Sequence, residues 1–323
     1  MDLQEQLTKH LTDVHSIEEQ ALQQMVVAPR MAADPELARA FRTHLDETRS
    51  QERRVRARLE ARATEPSRVK DLVGRAGGIG MILFARTQPD TPGKLVAHAY
   101  AYEHMEMAAY DLLALVAERA GDAETAEMAR TIREEEAEMA ERLAQGFDRA
   151  VEASLRDVAA SDLDEQLDKY LQDAFAIESQ ALQVLTQAPL LAGDPDLRKA
   201  FEDHLEETRS QQAAVEARLS ARGARPSRFK SVLLRVGGVN VSGFFGAQPG
   251  DTPAKLAGFA FAFEHLEIAA YEQLRRVADQ VGDAETARLA ERIIGEERAA
   301  AAAIRARFEP ALDTSFEAQD ISA

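Results

Sequence analysis

The chain has 323 residues, 45% hydrophobic and 29% charged, which is enough apolar material for two domains with proper cores and too much for long disorder. Asp and Glu total 56 against 39 Lys and Arg, a formal charge of −17, so the composition suits cations and excludes a surface built to neutralise nucleic-acid phosphates. The absence of cysteine removes disulfides, zinc ribbons, iron–sulfur clusters and thiol nucleophiles together.

From the start of the chain, Leu3, Leu7, Leu11, Val14, Ala21 and Met25 recur at helical spacing and predict a helix over 2–28. Asp34-Pro35, an N-cap residue followed by proline at the first helical position, opens a second helix over 34–63 that carries Leu37, Phe41, Val55 and Leu59. Val69 to Phe84 is apolar and glycine-rich, with Gly77-Gly78, and reads as a crossover packed over a bundle or between two halves. Thr91-Pro92 opens a third helix over 92–120, and Gly121-Asp122, a stop followed by a new cap, separates it from a fourth over 122–147. The polar stretch 148–161 is expected to be a short link or helical continuation, with Ser161 or Asp162 capping the next helix.

The pattern then repeats. Helices are expected over 162–188, 194–222, 253–281 and 283–308, with starts at Asp194-Pro195 and Thr252-Pro253, a stop at Gly282-Asp283, and a second glycine-rich crossover from Phe229 to Phe245. Asp34 to Ala63 lies on Asp194 to Gly223 without a gap, and 18 of those 30 positions are identical. Two short turns and one long crossover per copy predict an all-α chain of two tandem four-helix bundles, at 1–155 and 160–323. No apolar run approaches about 18 residues, and Met1-Asp2-Leu3-Gln4-Glu5 lacks the basic start of a signal peptide, so a cytoplasmic protein is expected. Membrane contact through the crossovers ranks last, because an acidic chain is repelled by anionic lipid.

Threading the helices inward places acids on the core stripe. Glu18 stands between Val14 and Ala21, and its twin is Glu178. On the second helix Phe41, His44, Glu47, Thr48 and Gln51 recur unchanged as Phe201, His204, Glu207, Thr208 and Gln211. On the third, Glu103, Glu106 and Tyr110 share a face, mirrored by Glu264, Glu267 and Tyr271, and the fourth contributes Glu136 and Glu297. His104 and His265 fall beside that face, and Arg133-Glu134-Glu135 reads as solvated surface. Carboxylates are almost never buried without compensation. No inward Lys or Arg recurs in both copies, which leaves protons or divalent metal, and a carboxylate-rich site with one imidazole suits iron or manganese. Two such ions would neutralise four carboxylates.

Ser16-Ile17-Glu18, Phe41-x-x-His44-Leu45-x-Glu47-Thr48, Glu103-His104-x-Glu106-x-Ala108-Ala109-Tyr110 and Glu135-Glu136, each matched in the second copy, resemble the YciE/YciF-type ferritin-like family, a domain of unknown function. The resemblance implies a ferritin-like bundle with a di-metal centre, a dimer of bundles that this chain would make from its own halves, and a stress-linked role. Further homo-oligomerisation is left open. The fourth helix departs from the ferritin-like pattern of two Glu-x-x-His motifs, having Ala140 and Ala301 one turn after Glu136 and Glu297.

The expected ligands are therefore Glu18, Glu47, Glu106 and Glu136 with His44 as the nitrogen donor, Glu103 as a further candidate, and Glu47 or Glu136 bridging. The second set is Glu178, Glu207, Glu267 and Glu297 with His204 and Glu264. Tyr110 and Tyr271 lie one turn on, where a phenol hydrogen-bonds a metal-bound carboxylate or gives up an electron. The expected function is a di-iron or di-manganese protein, with two ions per bundle, acting on O2 or peroxide in the manner of a ferroxidase or catalase. The alternative is a metal-free helical scaffold.

Overall fold

The computed structural model describes residues 2–62, 91–226 and 251–321, and both glycine-rich crossovers lie outside them. Among the described residues there are ten α-helices, one short 3-10 turn and no strand. The chain divides into two compact units, Met1–Arg156 with Asp320–Ala323, and Asp157–Gln319. The first unit contains α1 (Leu3–Met31), α2 (Pro35–Ala61), α3 (Thr91–Arg119), α4 (Ala123–Gln145) and α5 (Phe147–Leu155). The second contains the 3-10 turn Ala160–Asp162, then α6 (Leu163–Leu191), α7 (Pro195–Ala221), α8 (Thr252–Val281), α9 (Ala284–Arg305) and α10 (Phe308–Glu317).

Side-chain bonds fix the helix directions in the first unit. Gln4 reaches the Ala120 carbonyl and Glu18 meets Tyr110, so α1 and α3 run antiparallel. Arg58 meets Asp122 and Glu47 meets Arg142, so α2 and α4 do too. The chain therefore leaves α2 at one end of the bundle and begins α3 at the other, the connectivity of a four-helix bundle with one long link. Leu7, Leu11, Val55, Leu59, Leu113, Ile132 and Leu143 are completely buried along the axis, each contributing about 1.5–3 kcal/mol on leaving water. At the α2 exit, Arg58 bonds Asp122 and Thr125 while Arg62 bonds Gln4 and Asp122. Arg218 and Arg222 repeat this clamp on Asp283, Thr286 and Asp168 in the second unit. The fold class and the duplication stand as read from sequence.

Several local expectations need correction. The first helix of each unit does not stop before Pro29 or Pro189 but runs on to Met31 and Leu191. A proline near a helix end removes one bond from a turn that is already weak, and the ladder resumes when the Ala32 N–H donates to the Ala28 carbonyl at 3.0 Å. Asp34 and Asp194 cap α2 and α7 as expected, but Thr91 and Thr252 lie inside their helices, with Asp251 at the N-cap of α8. Asp162 holds the N-cap position of α6 without a side-chain capping bond, and Ser161 bonds Asp162 instead. Of the two readings of 148–161, helical continuation holds, as α5, and α10 adds a short helix after the last one expected. Phe147 of α5 packs edge-on against Tyr100 at 5.4 Å, and Phe308 of α10 against Phe261 at 5.6 Å.

Candidate metal centre

Each helix of the first bundle delivers an ionisable side chain to the same depth. Glu103 and Glu106, three apart on α3, share its inner face; α4 supplies Glu136, α2 supplies His44 and α1 supplies Glu18. None of the five is more than 1% exposed. One ligand atom from each of His44, Glu103, Glu106 and Glu136 lies within 4.8 Å of the others, and His204, Glu264, Glu267 and Glu297 form the same group in the second unit.

His44 is the pivot. Its Nε2 faces Glu103 Oε2 at 3.1 Å and Glu136 Oε2 at 3.5 Å, without hydrogen-bond alignment to either. Its Nδ1 lies 3.1 Å from Glu47 Oε2. In the second unit His204 Nε2 bonds Glu264 Oε2 at 2.9 Å and faces Glu297 Oε2 at 3.4 Å, while Nδ1 faces Glu207 at 3.4 Å. Glu47 and Glu207 thus stand outside the group, behind the imidazole and partly exposed, with Arg142 on both oxygens of Glu47 at 3.2 Å. Glu18 and Glu178 are buried alongside, each accepting a hydrogen bond from Tyr110 or Tyr271 on one oxygen and leaving Oε2 without a partner.

Many carboxylate oxygens inside the cluster have no hydrogen bond at all. They include both oxygens of Glu103, Glu136 and Glu267, Oε1 of Glu106 and Oε2 of Glu297. Burial pushes the Glu18 and Glu178 carboxyls up to about 8 despite their tyrosine bonds. Burial, with the neighbouring acids adding to it, drives Glu106, Glu136, Glu267 and Glu297 well above the ordinary carboxylate range. Burial opposes the charged forms of His44 and His204, but Glu103 and Glu264 outweigh it, lifting His44 well above its usual value and His204 to about 9. Burial likewise opposes the Glu264 anion, and His204 more than compensates. Burial and mutual repulsion thus favour the protonated form of Glu18, Glu106 and Glu136 and of their twins unless a positive charge sits among them.

Other residues fall differently. His104 and His265 bond backbone carbonyls four residues earlier, Tyr100 and Phe261, at 2.7 Å and lie outside the group. Gln51 donates to Glu135 at 3.1 Å, and Gln211 to Glu296 at 3.1 Å and Glu297 at 2.6 Å. Glu135 is not solvated surface: it joins Arg54 of α2 and is two-thirds buried. Tyr102, whose hydroxyl donates to the Ile17 carbonyl at 2.9 Å, escaped the sequence reading because its equivalent is Phe263. So did a third grouping, His15, Glu19 and Glu52, where Arg56 contacts both acids. The second unit has Phe175, Ser179, Gln212 and Glu216 at those four positions.

The fold and these sites define a ferritin-like helical protein with buried histidine–carboxylate clusters, one in each half, that could hold metal ions. The chain belongs to the family described as Domain of unknown function (DUF892), which matches residues 2–156 and again 162–316. It is similar to Protein YciF of Escherichia coli (strain K12), 28% identical over 130 residues that make up 39% of this chain and 78% of YciF. A crystallised protein from Xanthomonas campestris pv. campestris is 29% identical, with 49% of this chain and 99% of that one covered at a TM-score of 0.41. No helix among the described residues is long and apolar enough to cross a membrane.

Proposed function

We propose that the chain is a di-metal carboxylate protein that holds two iron or manganese ions in each bundle and is redox-active toward O2 or peroxide, protecting a cytoplasm under stress. The observation that carries this reading is the set of buried oxygens without a hydrogen bond on Glu103, Glu106, Glu136, Glu267 and Glu297, crowded around a single imidazole in each half. Leaving a buried acceptor unmatched costs about 1–3 kcal/mol, and more if it is charged. A duplicated chain that keeps several in both copies is keeping them for a ligand. Hard oxygen donors with a single imidazole fit iron or manganese and disfavour soft metals.

We assign Glu18, His44, Glu103, Glu106 and Glu136 as ligands, with Glu178, His204, Glu264, Glu267 and Glu297 in the second half. Glu47 and Glu207 take an orienting role instead of a bridging one. By accepting from Nδ1–H they fix the tautomer that presents Nε2 to the cluster. Glu136 and Glu103, with neither oxygen hydrogen-bonded, would offer both oxygens to the ions. Ferrous or manganous ions bound there would supply the electrons for reducing O2 or peroxide. The protein's own part is to exclude water, to hold Glu18 and Glu178 through Tyr110 and Tyr271, and to surrender the carboxyl protons as ions enter.

The test is anaerobic loading with Fe2+ followed by mixing with oxygenated buffer. Oxygen uptake in fixed ratio to bound iron is expected, lost in Glu136→Ala plus Glu297→Ala; oxidation no faster than that of free Fe2+ would contradict the redox role. A metal-free scaffold is the second reading, favoured by carboxyls that titrate near 8 in Glu18 and Glu178 and so hold protons at neutral pH.

A further inference from the structure

The ligands are sealed from solvent, yet the carboxylate behind each histidine is not: the side chains of Glu47 and Glu207 are 28% and 41% exposed. Glu47 opens onto a surface pocket of about 430 Å³ between α2 and α4, lined also by Thr43, Asp46, Ser50, Arg54 and Glu135. With three carboxylates around it, and with Glu47 in contact with His44, this pocket is the acidic surface nearest the cluster and the natural way in for a cation.

Two guanidinium groups cross that seam beside Glu47 in the first half. Arg142 of α4 grips Glu47 of α2, and Arg54 of α2 grips Glu135 of α4. Each ties a port carboxylate to the facing helix and places positive charge in a cation's path. The second half has Ala214 in place of Arg54 and Ala303 in place of Arg142. There Glu296 pairs with Arg292 one turn earlier on its own helix at 2.6 Å, and Glu207 contacts His204, with no arginine of the facing helix on it among the described residues. The polar bonds that cross the second seam near Glu207 come from Gln211, which reaches Glu296 and Glu297.

Building on the metal-binding reading above, we infer that the α2–α4 and α7–α9 seams are the ports through which divalent cations reach the two centres, and that arginines gate the first port while the second stands open. The halves therefore load at different rates with the same final stoichiometry. Glu47 and Glu207 meet the incoming ion first, and in the first half Arg142 must release Glu47 before the ion passes. Loosening two partly exposed ion pairs slows entry roughly three- to tenfold.

The experiment is stopped-flow binding of Co2+ to the metal-free full chain, read by visible absorption. Two phases of equal amplitude are expected. Arg54→Ala plus Arg142→Ala should merge the slow phase into the fast one and leave the bound total unchanged; Ala214→Arg plus Ala303→Arg should slow the fast phase. Glu264→Gln plus Glu297→Gln, which disables the second centre, should remove the fast phase. A single phase in the unaltered chain, or two phases unmoved by removing the arginines, would overturn the gate. Failure of Co2+ to bind at all would instead strike the metal-binding reading on which the gate depends.

Discussion

The Tyr110 hydroxyl donates to Glu18 Oε1 across the α1–α3 interface, and Tyr271 makes the same bond to Glu178. Each phenol is fully buried or nearly so, and each satisfies one carboxylate oxygen while the other is left without a partner. The tyrosine thus holds an acid in the core at a fixed angle, and the acid's unused oxygen is what a ligand would meet.

Removing the phenol tests that relationship. Tyr110→Phe or Tyr271→Phe should cost about 1–3 kcal/mol each in the metal-free protein, the worth of a buried bond to an ionisable partner. Urea denaturation after chelation measures it. A loss below about 0.5 kcal/mol would mean that Glu18 needs no anchor.

Neutral replacement of the acids should have opposite effects in the two forms of the protein. Glu18→Gln plus Glu178→Gln removes carboxyls whose burial lifts them to about 8. Without metal the change should be nearly neutral at pH 6, where the carboxyls already hold protons, and stabilising at pH 9, where they do not. With metal bound it should lower the melting temperature and the metal content. Equal effects in both forms would favour the scaffold.

The metal-free protein should lose stability as pH rises from about 5 to 9. Glu18 and Glu178 titrate at about 8 folded against an ordinary 4.5, so the folded state binds more protons through that window and stability falls with pH. His204, lifted to about 9 from 6.5, acts in the same direction: its contribution is complete below 6.5 and is lost on passing 9. Asp283, held low, contributes above about 4 and does not change in this window. Metal binding displaces these protons, so the affinity should rise with pH. Differential scanning calorimetry of both forms checks the signs; a metal-free melting temperature that climbs from pH 6 to pH 9 would refute them.

Glu47→Ala and Glu207→Ala should weaken metal binding about 10- to 100-fold without changing the number of sites, as expected for a carboxylate that orients a ligating histidine. Competition against a chromophoric chelator gives both quantities. Loss of a whole ion per half would restore these glutamates to the ligand set.

The bundles were legible because apolar side chains recur at helical spacing and because the duplication repeats each inward acid. Glu18, His44, Glu106 and Glu136 could be placed on the inner face from neighbours three and four residues away. Spacing favours Glu47 over Glu103 as a ligand, since Glu106 already fills the helix-3 position; the rotation of α2 and α3 instead places Glu103 within the group and Glu47 behind His44. The helix at 147–155 is the helical continuation that the stretch 148–161 allows, while the helix at 308–317 lies beyond the last one the spacing predicts; Phe147 rests on Tyr100 and Phe308 on Phe261. Arg54, Glu135 and Arg142 look like ordinary surface charge in sequence; it takes the facing helix to show that they close a seam.

Metal analysis of the full chain, purified without an affinity tag from cells supplied with iron and manganese and then melted with and without chelator, bears most directly on the buried clusters. About two ions per bundle, four per chain, are expected, with a marked fall in melting temperature when they are stripped. Fewer than about one ion per chain, together with a melting temperature indifferent to chelation, would contradict a metal centre and leave protons as the partners of the buried acids.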